Sequence, residues 1–246
     1  MAAVNNSIAK KPQQNDKVVE YMCGEELVKL SPSIIRNYLV NGNGSVTDQE
    51  VGMFLNLCRF QHLNPFLREA YLIKFGNQPA TIVTGKEAIT KRAMRNPKYS
   101  GQQAGIVIFH EDSGEFEHRP GALLMLGEKL VGGWAKVYVK GYEVPIEAVV
   151  SYDEYVGLTK EGTVNGQWAK KPATMIRKVA LVQALREAFP EDLGGMYASE
   201  EVGVEINESA MAPIETPTDQ DAQEQPPIYS DDFAAEQTSM ADLENF

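Results

Sequence analysis

The strongest concentration of chemically active side chains lies between residues 166 and 189. Before the first acidic residue, Glu187, this stretch carries one tryptophan and five basic residues: Trp168, Lys170, Lys171, Arg177, Lys178 and Arg186. Lysine and arginine bind phosphate through charge and hydrogen bonds, and an aromatic ring stacks on a base with about 1–3 kcal/mol. The stretch therefore predicts a surface for a nucleic-acid backbone, although Trp168 fits a core position equally well.

Pro172 predicts the start of the helix that carries these cations, because proline is favoured in the first helical turn. On one continuous helix Lys171 and Lys178 form a row, and Lys170 and Arg177 form a second, parallel row. The apolar sector that would pack inward consists of Met175, Val179, Val182 and Phe189. An ordinary solvated helix face is the alternative interpretation of this pattern.

A second group of basic residues follows Thr84. Thr84 and Glu87 match a capping box, which predicts a helix that ends at about Arg95. Lys86 lies in its first turn, and Lys91 and Arg95 are one turn apart, where like charges repel by a few tenths of a kcal/mol. Because a bound anion would relieve that repulsion, these three basic residues join the predicted DNA-binding set.

Short strands and helices alternate along the rest of the sequence. Hairpins are predicted at 18–30, 106–118 and 131–152, a strand pair at 71–75 and 81–84, and helices from Ser31, from the Thr47–Glu50 capping box to about His62, and over 151–155. These patterns predict small sheets and hairpins that alternate with helices.

The net charge of −11 is unevenly distributed. Residues 1–199 hold all 23 basic residues and 21 acidic ones, whereas residues 200–246 hold 13 acidic residues and no basic one. We predict a disordered N-terminus over 1–17, a DNA-binding core over 18–198, and a disordered acidic tail over 199–246. Without a signal peptide or an apolar spanning segment, a cytoplasmic protein with no membrane contact is expected.

Motifs of enzymes are mostly absent. Gly85-Lys86 is followed by Glu87 rather than serine or threonine, so it is not a P-loop. Cys58 and His62 have the spacing of half a metal site, but no second pair matches them. A metal-dependent nuclease remains an alternative because acidic residues cluster at one hairpin: Glu111, Asp112, Glu115 and Glu117. We predict no catalytic residue, no metal ligand and no cofactor.

Several ordered blocks between residues 18 and 197 point to one family. The blocks are Leu63-Asn64-Pro65-Phe66 with Glu69-Ala70-Tyr71, Val83-Thr84-Gly85-Lys86-Glu87, Val131-Gly132-Gly133-Trp134-Ala135, and Gly166-x-Trp168-x3-Pro172-x2-Met175-Ile176-Arg177-Lys178 with Arg186-x2-Phe189. In their order and spacing they resemble the phage single-strand annealing proteins, the Bet (Red beta) group of the RecT-like recombinases.

This resemblance implies a phage or prophage protein that binds single-stranded DNA and anneals it to its complement without ATP. It also implies an α+β fold, in which small sheets and hairpins pack with helices and form a basic DNA-binding groove. It implies an oligomer, either a ring or a helical filament, and suggests contacts with a phage exonuclease and the host single-strand-binding protein. Arg68, Arg177 and Arg186 would line the groove, and Mg²⁺ would only modulate duplex binding. The family often has basic residues directly after the motif proline, where this chain has Ala173-Thr174. A passive single-strand binder without annealing activity is the alternative.

The acidic tail ends in Asp242-Leu243-Glu244-Asn245-Phe246. This ending is similar in character to the partner-binding tip of bacterial single-strand-binding proteins. The tail is therefore a candidate DNA mimic that competes for the groove, or a segment that recruits partners. A tail that only improves solubility is the alternative.

Overall fold

The computed structural model of the protein describes residues 16–159 and 161–203. They belong to the unit Met1–Ile214, and the second unit, Glu215–Phe246, lies outside the described ranges. The predicted N-terminal segment up to residue 15 and the tail from residue 204 onward also lie outside them. The hypothesis about the ending at residues 242–246 therefore concerns residues that are not described.

Strands and helices alternate along the described chain, which confirms the predicted α+β class with small sheets packed against helices. The strands are β1 (Val19–Cys23), β2 (Glu26–Leu30), β3 (Val40–Gly42), β4 (Ala70–Lys74), β5 (Thr81–Thr84), β6 (Tyr99–His110), β7 (Glu115–Pro120), β8 (Lys129–Val139) and β9 (Ile146–Ser151). The helices are α1 (Pro32–Ile34), which continues as a π-helical turn over Ile35–Leu39, α2 (Asp48–Phe60), α3 (Lys86–Arg95), α4 (Tyr152–Tyr155), α5 (Gly166–Lys170), α6 (Pro172–Ala188) and α7 (Pro190–Leu193), and a 3-10 turn covers Pro65–Leu67. No helix in the described ranges is long and apolar enough to cross a membrane.

Three sheets organise these strands: β1-β2, β3-β4-β5 and the largest, β7-β6-β8-β9. The four-stranded sheet is antiparallel throughout and contains both later hairpins that the sequence predicts. β6 begins at Tyr99 rather than at the predicted Ile106. Its first half pairs with β8 across an irregularity beside Gly101, whose φ is 120°. Polar Gln102 and Gln103 give this half no apolar alternation, so the pattern misses it.

Helix α6 lies against one face of this sheet and is buried around most of its circumference. Its buried residues are Ala173, Met175, Ile176, Val179, Ala180, Leu181, Val182, Ala184 and Leu185. The helix and the sheet approach closely at Gly133, where an added Cβ would lie 2.5 Å from the Ile176 carbonyl oxygen. The predicted apolar sector is therefore too narrow, because α6 is a core helix that also contacts α3, α5 and α7.

Helices α2 and α3 begin differently, although the sequence predicts a capping box for each. At α2 the box forms: the Thr47 hydroxyl accepts from the Glu50 N–H, and the Glu50 carboxylate accepts from the Thr47 N–H. At α3 the cap is Gly85 and has no side-chain hydrogen bond, so that prediction is wrong. Thr84 ends β5 instead, and its N–H donates to the Tyr197 carbonyl at 2.8 Å. The segment after α7 therefore helps to fix the start of α3.

Gly133→Ala is expected to lower the free energy of unfolding by about 1–3 kcal/mol, since the new methyl group displaces α6 from the sheet. Gly52→Ala in α2 is the matched control, because nothing lies within 4 Å of a Cβ added there. It is expected to raise stability by about 0.5–1 kcal/mol through helix propensity. Urea unfolding of both variants measures the difference, and equal effects would contradict the close packing at Gly133.

Candidate nucleic-acid interface

The first turn of α3 lies against the segment that carries Arg68. The Gly85 N–H donates to the Glu69 carbonyl at 3.0 Å, and a Cβ on Gly85 would lie 2.7 Å from the Arg68 carbonyl oxygen. Arg68 ends the 3-10 turn with a left-handed φ of 62°. This backbone contact brings the segment of Arg68 next to Lys86, the first residue of α3.

Helix α6 adds Lys178 to the same region. The Lys86 ammonium lies 3.1 Å from the Glu87 carboxylate. Burial alone would raise the pKa of Glu87, but its hydrogen bonds and the positive charges of Lys86 and Lys178 hold that pKa below its ordinary value. Lys178 is therefore close enough to act electrostatically on the start of α3.

The second half of α3 borders a pocket of about 350 Å³. On its wall the Lys91 ammonium lies 2.9 Å from the Glu69 carboxylate, which also accepts from the Asn64 N–H at 2.8 Å. Burial would raise the pKa of Glu69, but these two contacts help to hold it below its ordinary value. Arg95 lines the same pocket, is exposed, and has no hydrogen-bond or ion-pair partner within the described ranges.

Lys170 and Lys171 lie at a break between two helices. α5 ends at Lys170, Lys171 has the non-helical dihedrals φ −140° and ψ 52°, and α6 begins at Pro172. Because the residue before a proline is disfavoured in the helical region, the predicted continuous rows with Lys178 and Arg177 do not form. Both lysines are exposed, and neither has an ion-pair partner in the part of the chain that is described.

Arg177 ties α6 to the sheet. Its Nε donates to the Ala104 carbonyl of β6 at 3.2 Å, and its side chain is only partly exposed. One donor of the guanidinium is thus used on the backbone of β6. Arg177 has a structural contact in addition to the DNA contact that the sequence predicts.

The other two predicted cations of α6 are paired with carboxylates. The Lys178 ammonium lies 2.9 Å from the Glu200 carboxylate. The Arg186 guanidinium donates to both oxygens of Glu201, at 2.5 and 3.0 Å. Lys178 and Arg186, which the sequence predicts to bind phosphates, therefore already bind acidic side chains of the same chain.

The sequence places Glu200 and Glu201 in a disordered tail and misses their role. In the structure both side chains are 6% exposed, so for these two residues packing replaces the predicted disorder. Just before them, Met196 is fully buried and Ala198 is only 1% exposed. One sequence signal could have found this contact: two apolar residues lie next to two acids, and they follow a run of cations that lack neighbouring acids.

Trp168 lies in the core. Its side chain is 1% exposed, and its ring packs against Tyr152 at a centroid distance of 5.7 Å. The Asn165 side chain caps α5 by accepting from the Trp168 N–H at 3.2 Å. A ring this deeply buried has no face for a base, so its assignment to the DNA-binding residues is corrected and the core alternative holds.

Residues weighed as metal ligands have other partners. Glu117 accepts from Arg119 at 2.8 Å. Cys58 is buried, and the His62 Nδ1 lies 2.7 Å from the Met22 carbonyl. Over 16–159 and 161–203, no group of three or more His, Cys, Asp or Glu side chains is arranged to hold a metal ion.

Comparison with known proteins shows two similarities. A sequence model of the RecT family matches residues 25–214, a span that contains every residue predicted to bind DNA. An uncharacterized protein of Ureaplasma parvum serovar 3 is 29% identical over 166 residues. That alignment covers 66% of this chain and 66% of the relative, slightly less than two thirds of its length.

Trp168→Ala is expected to lower the free energy of unfolding by about 3–5 kcal/mol, since it leaves a cavity in the core. Trp168→Phe keeps most of the volume and is the milder companion. Its affinity for a single-stranded oligonucleotide, measured by fluorescence anisotropy well below its unfolding temperature, is expected to stay within about twofold of wild type. A loss of about 1–3 kcal/mol in the free energy of oligonucleotide binding by a folded Trp168→Phe protein would instead indicate that Trp168 stacks on a base.

Proposed function

The chain belongs to the RecT family, and we propose on that basis that it binds single-stranded DNA and anneals it to its complement in homologous recombination. The observation that carries the proposal is the family match over residues 25–214, which contains the basic residues of α3 and α6. The contact between these two helices supports it, because it brings cations from distant parts of the chain to one region.

The proposed chemistry is non-covalent. Two complementary strands repel each other through their phosphates, and protein cations reduce that repulsion while the bases pair. Arg95, Lys170 and Lys171 are exposed and lack an ion-pair partner in the described ranges, so they are the cations most accessible to phosphates. Lys91 shares its charge with Glu69 but is 49% exposed. Contacts of this kind favour no particular base sequence.

Annealing in this proposal uses no ATP, since the free energy of base pairing drives it. The Gly85-Lys86 pair that resembles part of a P-loop lies at the start of α3 and continues with Glu87. No cofactor takes part in the proposal, and Mg²⁺ acts only by screening the duplex.

We further propose, from the resemblance to the Bet group, that the protein comes from a phage or prophage and acts in the bacterial cytoplasm as a ring or helical filament. An oligomer would join many weak phosphate contacts along one strand, which raises the overall affinity without any new type of contact. The proposed partners are an exonuclease that exposes the strand and the host single-strand-binding protein.

The direct test mixes two complementary oligonucleotides, one with a dye and one with a quencher, with and without the protein. Annealing activity is expected to speed quenching equally in the presence and absence of EDTA. Binding without faster quenching would contradict annealing and leave a passive single-strand binder. Shortening of the labelled strand that EDTA abolishes would instead indicate a nuclease.

A triple variant tests the exposed cations. Arg95→Gln with Lys170→Gln and Lys171→Gln is expected to weaken binding of an oligothymidylate and to reduce the slope of log K against log salt by up to about 2, at about 0.7 for each lost phosphate contact. The control replaces three cations on and after β8, namely Lys129, Lys136 and Lys140. Equal slopes for the two triple variants would count against this interface.

A further inference from the structure

After α7 the chain turns back over α6 and forms a short packed segment, Met196 to Glu201. Met196 and Ala198 are buried, and the Tyr197 carbonyl accepts from the Thr84 N–H at 2.8 Å. Glu201 closes the segment with a turn, since its N–H donates to the Ala198 carbonyl at 3.1 Å. The segment is thus anchored to β5 before it presents its two acids.

Arg186 makes most of the contacts between α6 and this segment. Its guanidinium binds both carboxylate oxygens of Glu201 and the Met196 carbonyl, at 2.5 to 3.2 Å. The ring of Tyr197 lies over the same guanidinium, with 4.4 Å between the Cζ and the ring centroid. Glu201 also accepts from the Ala198 N–H at 2.9 Å. This is a complete bidentate anion site with an aromatic wall.

Glu200 places the second carboxylate on Lys178. Its Oε1 lies 2.9 Å from the Lys178 Nζ, and its Oε2 accepts from the Ser199 hydroxyl at 3.0 Å. Lys178 also acts on Glu87 at the start of α3. The two adjacent acids therefore neutralise cations that lie eight residues apart on α6, about 12 Å along the helix axis.

We infer that Glu200 and Glu201 form a carboxylate latch, which holds Lys178 and Arg186 in the positions of strand phosphates and which a DNA strand must displace to bind there. This inference rests on the proposed function. A guanidinium fork fits a carboxylate and a phosphate in the same bidentate geometry, so the two anions compete for one site.

The competition follows from the burial of the two cations. The side chain of Lys178 is 24% exposed and that of Arg186 is 19% exposed. Each charged group has therefore lost much of its hydration and is destabilised without an anionic partner. The latch supplies that partner in the absence of DNA. Exchange is favourable for the strand because the released carboxylates return to water while the phosphates keep both cations paired.

The test measures binding of a labelled oligothymidylate to the full chain by fluorescence anisotropy over a salt titration. Glu200→Gln with Glu201→Gln is expected to bind about tenfold tighter than wild type at low salt. The slope of log K against log salt is expected to stay close to that of wild type, because the strand makes the same two phosphate contacts in both proteins. Glu187→Gln with Glu191→Gln is the matched control. Glu187 follows Arg186 in α6 and Glu191 lies in α7, so this variant also removes two negative charges. Among the described contacts, Glu187 pairs only with the amide of Gln183.

A double variant that melts like wild type but binds like the control pair would overturn the latch. Wild-type protein that binds no oligothymidylate would instead overturn the proposed function, and the latch with it. If the double variant fails to fold, hydrogen–deuterium exchange on the wild-type chain decides. Faster exchange of the Ala198 and Glu201 amides on saturation with oligothymidylate supports displacement, whereas unchanged or slower exchange refutes it.

Discussion

The close approach of α6 to the four-stranded sheet at Gly133 determines where the cations of α6 lie. An added Cβ would meet the Ile176 carbonyl at 2.5 Å, so only glycine allows the helix to lie at this distance from the sheet. Successive helical residues point about 100° apart. Once Ile176 is fixed against the sheet, Arg177 meets the β6 carbonyl of Ala104 and Lys178 meets the Glu200 carboxylate.

A helix so deeply buried imposes a requirement on its charges, because a cation removed from water needs a partner. Arg177 uses a backbone carbonyl, and Lys178 and Arg186 use carboxylates. Burial would lower the pKa of Arg186, but Glu201 raises it, so the guanidinium stays charged. In the proposed interface, exposed cations would meet a strand first, and partly buried cations would bind its phosphates more strongly once water is excluded.

Local signals in the sequence predicted much of this fold, and contacts between distant residues account for the errors. Pro172, the Thr47 capping box and the later hairpins depend on neighbouring residues, and the structure confirms them. The Thr84 box fails because a residue more than a hundred positions away takes its N–H.

Side-chain roles in the interface were harder to predict than its elements. A tryptophan next to two lysines has the same pattern whether its ring faces DNA or the core, and only the position of Tyr152 against Trp168 decides. Composition also classed Glu200 and Glu201 with the acidic residues after them, although their pairing depends on cations of α6.

Tyr197 connects the start of α3 with the end of α6. Its carbonyl holds Thr84 at the start of α3, while its ring covers Arg186 near the end of α6. In the proposed exchange, movement of this segment at Arg186 would therefore also act on the backbone from which α3 begins.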